Sequence, residues 1–124
     1  MNVVLWIIAG LLALVFLGSG AMKVLRPREQ LEAAGMAWTE DWPAGAVKAI
    51  GGLEVLAAIG LILPAALDIA PILVPLAATG LAIIMAGAIV VHARRKENQM
   101  VIGNVVLLVL AVVVAWGRFG PYSF

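Results

Sequence analysis

With 124 residues, 65% hydrophobic and only 12% charged, the chain carries more apolar surface than a water-soluble fold of this size can hide. Its net charge of +1 gives no basic field for nucleic acid. The absence of cysteine excludes disulfides, thiol redox chemistry, thiolate-held metals and iron–sulfur clusters, and one histidine cannot by itself assemble a metal site.

A bilayer core of about 30 Å is crossed by about 20 apolar residues in a helix, and four stretches meet or approach that length. The first is Val3–Met22. No Lys or Arg precedes it, and it exceeds the apolar part of a secretory signal, so it reads as a retained membrane helix. Pro27 ends it, because the residue before a proline avoids the helical region. Residues 27–43, "PREQLEAAGMAWTEDWP", are too polar to span. Arg28–Ala34 favour a short helix with Gly35 as its stop, and Met36, Trp38 and Trp42 suit the headgroup boundary, which makes the stretch an interfacial segment. The second span is about Ala44–Leu63, closed by Pro64. The third is about Pro71–Val91, with Pro71 in its first turn and Pro75 expected to bend it. The fourth, about Val101–Gly117, is short.

The links "PAALDIA" and "HARRKENQ" are tight, and tight links make sequential helices antiparallel neighbours. In lipid every backbone group needs an internal partner, which leaves helices as the spanning form. The expected fold class is therefore an all-α membrane protein: a four-transmembrane antiparallel bundle, one domain over residues 1–124, with the interfacial segment between helices 1 and 2. Small residues that let backbones approach are Gly18, Gly20, Gly51, Gly52, Gly60 and Gly87, together with Ala78, Ala82 and Ala86 on one face of helix 3. That alanine face serves either within the bundle or between the chains of a homodimer.

Lys23, Arg26, Arg28, Lys48, Arg94, Arg95 and Lys96 lie at one end of the bundle, against Arg118 alone at the other. The bias predicts that the first and third connections are cytoplasmic and both termini outside. Trp6, Trp116, Phe119 and Tyr122 then form an outer aromatic belt, and Trp38 and Trp42 an inner one.

Depth counting brings the unusual polar residues together. Lys23 ends helix 1, with Ser19 one turn deeper on the same face. Glu54 lies six residues past Lys48, about 9 Å further in. His92 ends helix 3, and Asn104 is about one turn into helix 4 from the same side. The other half of the membrane holds only Thr79 as a buried polar candidate. A carboxylate in the apolar layer costs about 2.5–3.5 kcal/mol on insertion scales, and it persists by facing inward and finding partners. Lys23 is the partner expected from charge and depth, followed by Asn104 and His92. Gly51 and Ala58, on the Glu54 stripe, leave room for a neighbouring helix or a bound molecule.

The succession "FLGSGAMKVLRP", "IGGLEVLAAIGLILP" and "PLAATGLAIIMAGAIVVHARRKE", then an asparagine early in helix 4, resembles the DoxX-like family of small four-helix membrane proteins over nearly the whole chain. The G-x-x-K end of helix 1, the G-x-x-E-x-x-x-x-x-G-L core of helix 2 and the H-x-R end of helix 3 carry the resemblance. It implies that Lys23, Glu54, His92 and Asn104 occupy the family's polar positions. It also implies a setting, since some relatives are membrane subunits of thiosulfate:quinone oxidoreductase, others belong to oxidative-stress complexes, and more distant ones assist the assembly of membrane proteins.

The first functional expectation is a membrane subunit, not an enzyme by itself, that binds a quinone or another amphipathic molecule. Its ring would lie on the Gly51/Ala58 side and a polar oxygen near Glu54, Lys23 or His92, with Ser19 and Asn104 completing the set. Nothing in the chain carries electrons, so redox work requires a partner. The second expectation is a scaffold or assembly factor whose polar cluster only joins helices. A small transporter, which four helices would build only as a dimer, is the third.

Overall fold

A computed structural model describes residues 2–26, 30–31 and 42–123. They form four long helices: α1 (Asn2–Leu25), α2 (Ala44–Ala66), α3 (Leu73–Arg94) and α4 (Asn98–Phe119). Each is long and apolar enough to cross a membrane, with mean hydropathy between 2.0 and 2.5. The helices pack as a ring in which α1 touches α2, α2 touches α3, α3 touches α4, and α4 closes on α1. Leu14, Leu25 and Ile83 expose about 70% or more of their surface, an arrangement stable only with hydrocarbon outside. The protein is thus a four-helix membrane bundle.

The core runs along the bundle axis through Leu5, Leu12, Phe16, Leu61, Val74, Ala78, Leu81, Ala111 and Val114. A second, small apolar cluster closes the basic end, where Leu31 of the first connection packs with Val47 against Met22 and Val91. The rest of the expected interfacial segment, including Arg28, Gly35 and Trp38, lies outside the described residues.

Only some of the small residues are contact points. A Cβ on Gly20 would lie 2.5 Å from the Gly51 carbonyl oxygen, and one on Gly51 would lie 2.7 Å from that of Gly20. These two glycines let α1 and α2 meet backbone to backbone. Gly60 approaches Ala77 of α3, and Gly117 receives the side chain of Leu5. Gly18, Gly52 and Gly87 have nothing within 4 Å of a Cβ position, contrary to the expectation that they pack helices. Ala78 is fully buried and Ala82 packs on the core, whereas Ala86 is exposed, so the alanine face turns from the bundle towards lipid along its length.

The prolines also depart from expectation. Pro64 lies inside α2, which continues to Ala66: proline fits helical φ, and this close to the helix end its missing donor and the crowding of its ring on the preceding turn are tolerated. Pro75 is the third residue of α3, within the first turn, where an N–H has no intrahelical acceptor to lose, so nothing there demands a bend. Both tight turns are reversed-chain caps built without glycine. At the end of α2, Asp68 has φ 53° and Ile69 N–H donates to Pro64 O at 2.9 Å. At the end of α3, Lys96 has φ 59°, Lys96 N–H donates to Ala93 O at 3.1 Å and Glu97 N–H to His92 O at 2.9 Å.

Two outcomes follow. Gly20→Ala should destabilise the bundle by about 1–3 kcal/mol through overpacking, while Gly18→Ala should be neutral or stabilising by up to about 1 kcal/mol. Denaturation of the micelle-bound protein with SDS checks the pair, and equal effects would rule out the glycine crossing. Lys96→Gly should add about 1 kcal/mol in the same assay by removing the left-handed strain of a side chain at that position.

Candidate functional site

The glycine crossing sets the site. With no side chain on Gly20 or Gly51, α1 and α2 are close enough for Lys23 Nζ to donate to Glu54 Oε1 in an ion pair. Glu54 is fully buried and Lys23 nearly so. The partner expected from charge and depth is thus the one found. Lys48, at the exposed start of α2, donates from Nζ to Val24 O at 2.8 Å and covers a terminal carbonyl of α1, where the helix dipole favours a cation.

Beside the ion pair lies a cavity of about 310 Å³ to which all four helices contribute. Val15, Phe16, Ser19 and Lys23 line it from α1, Ile50 and Glu54 from α2, Met85, Ala88 and His92 from α3, and Met100, Asn104 and Leu107 from α4. Trp42, just before α2, completes the wall. The lining is mostly aliphatic, thioether and aromatic, with the polar residues gathered at one level. Small-molecule sites have this makeup and begin at about 300 Å³.

Five of the six residues singled out in the sequence therefore share one cavity: Lys23, Glu54, Ser19, His92 and Asn104. Gly51 does not line it. A Cβ there would lie 2.6 Å from Lys23 Cβ, so its role is to seat the lysine against α2. Ala58 is buried in the core and borders instead a separate apolar groove between α1 and α2. At Gly51 the stripe meets α1, because glycine in a membrane bundle lets backbones close up. The cavity beside the ion pair is bounded by α3 and α4 as well as by α1 and α2.

Hydrogen bonding inside the site is incomplete. Among the described residues nothing partners Glu54 Oε2 or Asn104 Nδ2, although both atoms are buried. His92 is held differently: its Nδ1 lies 3.0 Å from Glu97 Oε1, which also accepts from Arg95 Nε at 3.2 Å. Sequence reading passed over Glu97. Its only signal is a position five residues past His92 across a turn, and the left-handed Lys96 folds it back. Among the described residues no three His, Asp or Glu side chains converge in a way that could hold a metal ion.

The opposite end is a closed polar knot. Arg118, nearly buried, donates from Nη1 to Asn2 Oδ1 at 2.6 Å and to Tyr122 O at 3.0 Å, and its guanidinium stands 6.0 Å from the Trp6 ring centre. Thr79 Oγ1 donates to Pro75 O at 2.8 Å. The expectation that Thr79 is the one buried polar residue in that half is corrected by Arg118. Counted as an outer-face charge, Arg118 is drawn inward by acceptors from both chain ends. Trp116, Phe119 and Tyr122 stay substantially exposed, with Trp116 and Tyr122 edge to face at 5.9 Å.

The sequence model of the DoxX-like family matches residues 7–114, a span that contains the ion pair and every polar residue of the cavity. No curated protein and no solved structure matches the chain.

Removing one member of a buried ion pair costs about 3–5 kcal/mol, whereas replacing both with apolar residues recovers much of that. Lys23→Met should accordingly destabilise strongly. Glu54→Leu should cost less, because a lysine near a helix end can snorkel to the interface, and the double variant should be close to the parent. A double-mutant cycle in SDS unfolding measures the coupling, and a value near zero would dissolve the link.

Proposed function

The chain belongs to the DoxX-like family, and on that footing we propose that it binds a quinone or another amphipathic small molecule in the cavity beside Glu54. It does so as a membrane subunit that carries no electrons itself. One observation carries this reading. Among the described residues two buried polar atoms, Glu54 Oε2 and Asn104 Nδ2, lack partners, and both residues line the same apolar cavity. An unsatisfied buried group costs about 1–3 kcal/mol. A helix clasp alone would be served as well by Lys23 and one oxygen of Glu54, so the second oxygen and the amide fit a ligand's polar head.

The rest of the lining suits the rest of such a molecule. Phe16, Met85, Met100 and Trp42 offer aromatic faces and polarizable sulfur to a ring. The ring therefore meets α3 and α4 rather than the Gly51/Ala58 stripe. We assign the Lys/Arg-rich end, with the site, to the cytoplasmic side on the charge bias.

Decylubiquinone titrated onto the detergent-solubilised protein should quench tryptophan fluorescence saturably, and Trp42→Phe should remove most of that component. Asn104→Leu should raise the unfolding temperature of the ligand-free protein by removing an unpaired amide, yet weaken decylubiquinone binding by about tenfold. If no saturable quenching occurs and Asn104→Leu only destabilises, the cluster is a helix clasp. The function is then that of a scaffold or assembly factor packing on client helices.

A further inference from the structure

The hydrogen-bond inventory of the site allows a sharper statement about its ligand, resting on the reading just given. Glu54 is ion-paired through Oε1, so its remaining oxygen is an acceptor and has no proton to give. Asn104 Nδ2 can only donate. A ligand group that serves both donates to the carboxylate and accepts from the amide, as a hydroxyl does. A quinone carbonyl or an ether could accept from Asn104 but would set its own lone pairs against the carboxylate. An ammonium would suit the carboxylate but would sit beside the Lys23 cation, already on the same group. Around this polar level stand Phe16, Met85 and Met100, surfaces that favour a flat ring.

We infer that the cavity selects an aromatic hydroxyl, as found in a phenol or the hydroquinone form of a quinone, over the corresponding carbonyl or ether. Glu54 Oε2 accepts the hydroxyl proton in a charge-assisted hydrogen bond, and Asn104 Nδ2 donates to the hydroxyl oxygen. No electron or proton needs to be transferred for this recognition. The protein would hold the reduced form of a membrane quinone in preference to the oxidised form.

A matched pair that cannot undergo quinone redox chemistry isolates the hydroxyl: 4-nonylphenol and its methyl ether 4-nonylanisole. Binding is measured by equilibrium dialysis against the full chain in lipid nanodiscs, corrected for uptake by protein-free nanodiscs, with decylubiquinone as a third probe. The phenol should bind at least about tenfold tighter than the ether, the scale of one charge-assisted hydrogen bond. In Lys23→Met/Glu54→Leu the ratio should fall close to one. In Glu54→Gln, where the free oxygen can become an amide donor, the preference should shrink or reverse, so the inference does not depend on the double variant folding. Equal affinity for phenol and ether in the parent protein overturns the inference. If decylubiquinone still binds in that case, the quinone-binding reading stands without it. If none of the three binds, both fall.

Discussion

The structure depends on the approach of α1 to α2 at Gly20 and Gly51. In lipid no hydrophobic force pulls helices together, so contact must come from close packing and from polar groups that cannot tolerate the hydrocarbon. The two glycines supply the first, and the Lys23–Glu54 ion pair that they permit supplies the second. Each requires the other. Without the glycines the lysine stem cannot lie against α2, and without the ion pair a fully buried carboxylate stands alone in a layer that penalises it.

That crossing also decides what is left over. With Lys23 committed to one oxygen of Glu54, the second oxygen and the amide of Asn104 are buried without a partner among the described residues. The two ends of the molecule thus differ in kind. At the end that holds the chain termini, Leu5 plugs the space beside Gly117 while Arg118 gathers acceptors from Asn2 and Tyr122. Toward the basic end the four helices line a cavity that holds Ser19, Lys23, Glu54, His92 and Asn104. Buried polar groups left unmatched where the rest of the core is filled are the local inconsistency expected at functional sites.

His92 shows how the site is tied to the basic end. A cap with a left-handed Lys96 reverses the chain after α3, and that reversal returns Glu97 to the imidazole and to Arg95. Leu31 and Val47 seal the layer beneath. The cavity wall is therefore braced at His92 from the side where the charged residues concentrate.

Much of this was legible in the residues. Hydropathy and length determined the four spans, because a bilayer requires about 20 apolar residues per crossing and no other spanning form was open to this chain. Depth counting placed Ser19, Lys23, Glu54, His92 and Asn104 in the same half of the bundle, because rise per residue is constant in a helix. Rotation was decided only by the tertiary structure. Periodicity places Gly51 and Ala58 on the Glu54 stripe, but not which neighbour covers it: Gly51 meets α1, and the cavity that holds the polar residues is lined by all four helices. The inward turn of Arg118, the return of Glu97 to His92 and the two caps without glycine were hidden for the same reason. Each depends on partners distant in sequence or on a backbone turn that residue type does not announce, and these become visible only when the helices are packed.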